Sequence, residues 1–191
     1  GKRFSLALTG CAYFLTSIGI TPHMLFLTDY MNHTLGVPLA TTSRLFSLVG
    51  IGSLLGAFCS GFIARFFGTP RSLAANYAMG TVAIAIVLAT RDAALITVSA
   101  CMIGFFLFCC VTLSSIRTGE ISGMQRHPND WGVLTLGFGL GLAIGSYGLS
   151  GLLSLGVDYY VLFVIAQGIV AAALGLSVWL LFRREPMTAG S

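Results

Sequence analysis

The chain has 191 residues, of which 56% are hydrophobic and only 8% charged, and its mean hydropathy is +0.92. A soluble domain carries about 25% charged and about 45–50% apolar residues. The composition therefore excludes a soluble globular domain and a disordered chain, and it indicates a protein that lies in a lipid bilayer.

Six stretches without a charged residue are each long enough to cross a membrane. A bilayer core of about 30 Å needs about 20 apolar helical residues. None of the stretches alternates with a period of two, which argues against a membrane β-barrel. The sequence therefore predicts an all-α polytopic membrane protein with six transmembrane helices, over residues 4–28, 45–64, 72–90, 93–116, 131–157 and 159–182.

The basic residues are divided unevenly between the two ends of these helices. With six helices both termini fall on one side, and that side carries eight of the ten Lys and Arg residues. Because cytoplasmic loops are enriched in basic residues, both termini are predicted to be cytoplasmic, in the cell's inner (plasma) membrane. The basic residues are scattered in short loops, so the bilayer and no nucleic acid is the expected partner.

Two similar glycine patterns lie in the second and fifth helices. A GxGxxxG core begins at Gly50 and recurs 89 residues later at Gly139. Each is the middle helix of a three-helix unit, so the second unit would cross the membrane in the opposite direction. The chain is therefore predicted to be a single bundle, residues 1–191, built as a 3+3 inverted repeat of residues 4–90 and 93–182. Close helix packing is the role expected for Gly52, Gly56, Gly141 and Gly145.

The loop after the second helix resembles the loop signature of the major facilitator superfamily, G-x-L-A-D-R-x-G-R-R-x-x-L. Arg65 stands where that family usually has Asp, so the family's acidic gating partner is absent from this loop. The fifth helix resembles the family's GxxxGP stretch, with Ser146 in place of the proline. The loop residues that carry the comparison are Gly61, Ala64, Arg65, Gly68 and Arg71.

The resemblance implies one half of a twelve-helix transporter. The basic end of the chain at Arg183 and Arg184 favours the C-terminal half, helices seven to twelve. The expected partners are then a small-molecule substrate and an N-terminal six-helix half, covalent or separate, or a second copy. The resemblance also implies that the first and fourth helices line a central cavity.

The first helix is the most polar and carries most of the candidate cavity residues. His23 is its one strongly ionisable residue well inside the membrane, where such a group is a functional hypothesis by default. It is interpreted either as a site that handles protons or substrate, or as a histidine hydrogen-bonded to a neighbouring helix. Pro22 kinks the helix, as a gate or as an ordinary kink. The candidate cavity and gating residues are Tyr13, Thr16, Ser17, Thr21, Pro22, His23, Thr112 and Ser115.

Asp29 and Arg44 flank the first outer loop. They are predicted either to pair as an outer gate or to be solvated separately. No metal-ligand pattern, phosphate-binding loop or paired intramembrane carboxylate occurs, so no enzymatic activity, metal or cofactor is expected. The sequence predicts a secondary transporter of a small molecule that works by alternating access, with proton coupling as an option. The alternative is a six-helix membrane subunit that does not transport.

Overall fold

The computed structural model describes residues 2–182, apart from the side chain of Leu45. The predicted basic tail at Arg183 and Arg184 lies outside the described residues. Residues 2–182 form helices and turns without a strand, and six helical segments are long and apolar enough to cross a membrane. The prediction of an all-α six-helix bundle is confirmed. The segments, numbered here as spans 1 to 6, are Lys2–Thr34, Leu39–Phe67, Thr69–Ala89, Ala93–Ser122, His127–Ser154 and Tyr159–Phe182.

Span 1 is divided into four helical segments. The α-helix Lys2–Gly19 is followed by the α-helices Thr21–Leu25 and Leu27–Asp29 and by the π-helical turn Tyr30–Thr34. Pro22 lies in the first turn of the second segment, where a missing N–H is best tolerated. The break in span 1 therefore lies beside Pro22, as the sequence predicts for a proline within a helix.

The spans pack in pairs that are related by a shift of three spans. Span 2 packs on span 4, and span 5 packs on span 1. Span 3 packs on span 4, and span 6 packs on span 1. Spans 1 and 4 also touch each other, as do spans 3 and 6. If spans 1 and 4, spans 2 and 5, and spans 3 and 6 exchange places, the same set of contacts results.

Loop glycines follow the same shift. Gly36 and Gly123, which follow spans 1 and 4, both have a positive φ and are 87 positions apart. Gly68 and Gly156, which follow spans 2 and 5, also have a positive φ and are 88 positions apart. Glycine adopts this left-handed backbone without the steric cost that a Cβ would add. The pairing of the spans and of these turns supports the predicted repeat of residues 4–90 and 93–182, which stays a prediction.

Span 2 approaches span 4 through glycines on both helices. A Cβ at Gly52 would overlap the carbonyl oxygen of Cys101, and a Cβ at Gly56 would overlap that of Phe105. In return, a Cβ at Gly104 of span 4 would overlap the backbone of span 2. The two helix backbones are therefore in direct contact, which is the packing that small residues allow between membrane helices.

Span 5 approaches span 1 in the same way. A Cβ at Gly141 would overlap the Ser17 hydroxyl, and a Cβ at Gly145 would lie 2.5 Å from the Thr21 hydroxyl oxygen. Gly137 continues the same every-fourth-residue pattern in the sequence, but its Cβ position has nothing within 4 Å. The close contact of spans 5 and 1 is thus limited to the part of span 5 around Gly141 and Gly145.

Substitution of Gly52 by Ala tests the contact of spans 2 and 4. We expect Gly52→Ala to lower the free energy of unfolding by roughly 2 kcal/mol, because the new Cβ meets a backbone carbonyl that cannot move alone. Gly50→Ala is the matched control in the same helix, since its Cβ would enter open space and alanine favours a helix by up to about 1 kcal/mol. Thermal unfolding in detergent measures both. Equal stability of the two variants would contradict the packing described.

Candidate functional site

The hydroxyl face of span 1 is buried inside the bundle. Tyr13, Thr16, Ser17 and Thr21 are each at most 2% exposed. The Thr16 hydroxyl donates to the Ala12 carbonyl over 2.8 Å, and the Thr21 hydroxyl donates to the Ser17 carbonyl over 3.0 Å. A hydroxyl that donates its hydrogen bond to a carbonyl of its own helix does not need water as a partner. These predicted cavity residues therefore do not line an open space in this structure.

A polar cluster lies between spans 3 and 4. The Cys110 thiol donates to the Tyr77 hydroxyl over 3.4 Å and lies 3.9 Å from the Ser114 hydroxyl. One turn away, the Asn76 amide donates to the Phe106 carbonyl over 3.1 Å. Tyr77 and Cys110 are at most 1% exposed. The sequence indicates an interhelical hydrogen bond at Asn76, and the contact with Phe106 is one, whereas the contact of Tyr77 with Cys110 has no signal in the sequence.

His23 lies against spans 3, 4 and 6. Its Nε2 is 3.3 Å from the Ser99 hydroxyl, which donates its own proton to the Ala83 carbonyl over 2.5 Å. Because the serine proton is used in that bond, Nε2 of His23 carries the hydrogen and donates to Ser99. Its Nδ1 is buried without a hydrogen-bond partner among the described residues, and its ring packs edge-on against Phe163. The histidine is hydrogen-bonded between helices through Nε2, the second of the two predicted interpretations, and Nδ1 is its unpartnered ring nitrogen among the described residues.

The two candidate residues of span 4 lie apart from those of span 1. The Ser115 hydroxyl is 3.2 Å from Nε2 of His127, in the first turn of span 5, and the Ser115 carbonyl is 3.1 Å from the same atom. The half-buried Thr112 donates to the Phe108 carbonyl of its own helix. The predicted cavity residues are thus distributed over the bundle interior, the surroundings of His23 and the contact of spans 4 and 5. They do not form one cavity.

Asp29 and Arg44 do not form an ion pair. Within residues 2–182 the one ion pair shorter than 4 Å joins Arg117 to Glu120. The carbonyl of Asp29 lies 3.2 Å from Nδ1 of the exposed His33, and Arg44 is exposed. Separate solvation of the two charges, the second of the two predictions, is the one that matches this arrangement.

The loop between spans 2 and 3 is a single-residue turn at Gly68. Gly68 has a φ of 79°, and its N–H donates to the Ala64 carbonyl over 2.9 Å. A side chain at this position would be strained, so the glycine of the loop pattern has a local structural reason. Gly61, Arg65 and Arg71 are exposed around the turn.

An acid from span 4 holds this turn. The Thr69 hydroxyl donates to Oε1 of Glu120 over 2.5 Å, and Nη1 of Arg117 donates to Oε2 over 3.2 Å. The sequence predicts that the loop lacks an acidic partner, because Arg65 replaces the family's Asp. In the structure Glu120, which is 51 positions after Thr69 in the chain, provides a carboxylate to the loop. No local pattern signals such a contact.

A groove that the sequence interpretation missed lies between spans 1 and 5. Its volume is about 770 Å³. Arg3, Arg126 and Asp130 lie at one end, and apolar or small residues of both spans form its walls. Gly137 opens into this groove. Within residues 2–182 no cluster of three or more His, Cys, Asp or Glu side chains is of the kind that could hold a metal ion.

Comparison with protein families identifies a match over most of the chain. The family model described as "Uncharacterised MFS-type transporter YbfB" matches residues 2–177. Comparison with curated protein sequences finds no match. The matched range includes spans 1 to 5 and most of span 6.

A double-mutant cycle tests the contact between Thr69 and Glu120. We expect Thr69→Val and Glu120→Gln to be coupled by about 1 kcal/mol in the free energy of unfolding, because the first removes the donor of a charge-assisted hydrogen bond and the second removes the charge of its acceptor. Thr81→Val is the matched control, since the Thr81 hydroxyl bonds only its own helix, at the Tyr77 carbonyl. Additive effects of Thr69→Val and Glu120→Gln would show that the bond contributes nothing.

Proposed function

The chain belongs to the major facilitator superfamily of membrane transporters, and on this basis we propose that it is one half of a secondary transporter that moves a small molecule by alternating access. Members of such families rock two bundles about a site between them. The observation that carries the proposal is the unequal covering of the six spans. In spans 2 and 5 only 22% of the most apolar window is buried, against 33–50% in the other four.

The composition of the uncovered face favours a protein over lipid as its cover. A helix surface that contacts lipid has no need of glycine, whereas a surface that packs closely on another helix needs small residues such as glycine. Span 5 carries glycines whose Cβ positions have nothing within 4 Å, namely Gly132, Gly137, Gly139, Gly148 and Gly151. A second six-helix bundle would cover this face, as an N-terminal half or as a second copy. The chain would then correspond to helices seven to twelve.

The groove between spans 1 and 5 would form one wall of the substrate cavity. Gly137 lines the groove, and Gly148 and Gly151 lie on the same face of span 5, so the groove adjoins part of the exposed surface of that span. A bundle seated on that face would close the groove from the side. The buried hydroxyls of Tyr13, Thr16, Ser17 and Thr21 would support this wall from behind.

The protein is an integral membrane protein, and we propose that both of its termini face the cytoplasm at the inner membrane. Arg3 and Arg126 share one groove, and Thr69 of the loop between spans 2 and 3 touches Glu120 at the end of span 4. The basic ends of the spans therefore lie on one side of the bundle. The excess of basic residues on cytoplasmic loops favours that side as the cytoplasmic one, and the groove would then open to the cytoplasm.

Proton coupling through His23 is a second part of the proposal. The only titratable imidazole buried in the described bundle is that of His23, and its Nδ1 has a lone pair without a partner. Protonation at Nδ1 would add a charge at the contact of spans 1, 3, 4 and 6. A buried charge without a partner is costly, so the protonated bundle would favour a conformation that admits water to this contact.

A spin label on span 5 tests the missing half. We expect a nitroxide at Ala143→Cys to be poorly accessible to oxygen in the native membrane, because a second bundle would cover the exposed Ala143. Val164→Cys, on the exposed face of span 6, is the matched control and should show the high oxygen accessibility of a lipid contact. An immunoblot against residues 183–191 then distinguishes a covalent half, with about twice the mass, from a separate partner. High oxygen accessibility at both positions would contradict the proposal.

The role of His23 is tested with substrate-induced proton movement. In vesicles that hold a pH-sensitive dye, a transported compound from a panel of carboxylates, amines and sugars should change the internal pH. We expect His23→Ala to abolish this change, because Nδ1 of His23 takes up the proton. His33→Ala is the matched control, since His33 is exposed and should leave the signal unchanged. An unaltered signal in His23→Ala would exclude the role of His23 and leave uptake itself to be judged separately.

A further inference from the structure

The end of the groove between spans 1 and 5 carries unpaired positive charge. Arg3 lies in the first turn of span 1, Arg126 directly precedes span 5, and Asp130 lies one turn further on. A smaller recess beside the groove adds Lys2 to the same group. Among residues 2–182 none of these charges forms an ion pair. The positive charges therefore exceed the negative one at this end, which we call the basic mouth.

Two guanidinium groups are well suited to an acidic ligand. A guanidinium presents a planar set of donors that matches a carboxylate or phosphate with two parallel hydrogen bonds. Arg3 and Arg126 come from different spans, so a ligand between them would bridge spans 1 and 5. The single carboxylate of Asp130 would repel an anion less strongly than the two arginines attract it. A cationic ligand is disfavoured at the basic mouth for the same reason.

The rest of the groove is apolar. Leu6 and Phe14 line it from span 1, and Val133 and Leu134 line it from span 5. Beyond the basic mouth none of the described residues that line the groove carries a hydroxyl or amide side chain, so a sugar would leave its hydroxyl groups without partners among them. An apolar body is instead favoured by the surface it removes from water. The helix rises about 16 Å between Arg3 and Phe14, and a volume of about 770 Å³ is in the range of small-molecule sites.

We propose that this groove binds a small amphipathic organic anion, with its acidic group between Arg3 and Arg126 and its apolar body along the walls. The inference rests on the proposed transport function and names the substrate class for it. The apolar walls accept an aliphatic or aromatic body, and the basic mouth selects the acid over its neutral analogue. Octanoate and octanamide are therefore a matched pair of probes that differ only in the charged group.

Cys11 provides a direct reporter of occupancy. It lines the groove and is exposed, whereas Cys109 and Cys110 are buried. The protein is purified together with any second half and placed in phosphatidylcholine vesicles. The rate at which N-ethylmaleimide alkylates Cys11 is then measured by mass spectrometry of the peptide that contains it. We expect octanoate to slow the reaction and octanamide at the same concentration to leave it unchanged.

Variants of the basic mouth test the placement of the acidic group. We expect Arg3→Gln and Arg126→Gln each to raise the octanoate concentration needed for half-protection by about tenfold, because each removes a charge-assisted hydrogen bond. Arg91→Gln is the matched control, since Arg91 is exposed in the turn between spans 3 and 4 and does not line the groove. An equal shift in all three variants would overturn the assignment of Arg3 and Arg126.

A variant of the wall tests the placement of the apolar body. Gly137→Leu places a larger side chain at the groove, because Gly137 lines the groove and its Cβ position has nothing within 4 Å among the described residues. We expect it to reduce the ratio of Cys11 alkylation rates without and with octanoate to one. Gly175→Leu, in an open position on span 6, should keep the ratio of the unmodified protein. Size-exclusion chromatography confirms that both variants are folded, and full protection in folded Gly137→Leu would overturn the proposal.

The remaining outcomes separate this inference from the proposed function. Equal protection by octanoate and octanamide, or none by either, overturns the anion site. If phosphatidylglycerol in the vesicles protects Cys11 and octanoate adds nothing, the occupant is a lipid headgroup and the inference is also overturned. The labelling requires no transport. Protection by octanoate alone, without transport of any compound, would therefore support the anion site and count against the transport function. Transport of a compound without protection of Cys11 would support the transport function and overturn the anion site.

Discussion

A helix in a bilayer has to satisfy its polar groups within the protein, and the whole bundle follows from this constraint. The backbone groups are satisfied within each helix. Hydroxyls such as those of Thr9, Thr16 and Thr21 bond carbonyls of their own helix four residues earlier. Lipid is as apolar as the side chains, so the hydrophobic effect does not hold the helices together. Backbone contact at Gly52 and Gly141 takes its place, and it determines which spans are neighbours.

The features that depend on local composition could be predicted from the sequence. The six spans follow from the length of uncharged stretches, because the thickness of the membrane sets the length of a helix that crosses it. Gly52 and Gly56 could be assigned to helix contacts, since glycine in the middle of a membrane helix has few other uses. Gly68 could be placed at a turn because of its position in the loop pattern. In each case the cause lies within a few residues of the effect.

The position of the open groove could not be predicted, because it depends on which face of span 1 meets the other spans. The family resemblance predicts that the polar face of span 1 lines a central cavity. In the structure Thr16 bonds its own helix and lies inside, while the more apolar face with Ala7 and Cys11 borders the groove. The contact of Glu120 with Thr69 could not be predicted from the sequence either, because two residues that are 51 positions apart leave no local pattern.

The two sides of span 1 have consequences for each other. Its inner side is held by His23 against Ser99 of span 4 and by Tyr13 stacked on Phe138 of span 5. The outer side forms a wall of the groove. A rotation of the whole of span 1 that exposed His23 would also move Arg3 and the wall of the groove relative to span 5. Because His23 and Arg3 lie in consecutive segments of one span, a change in protonation at His23 and a change in occupancy of the groove would both act on that span, which is the linkage that a coupled transporter needs.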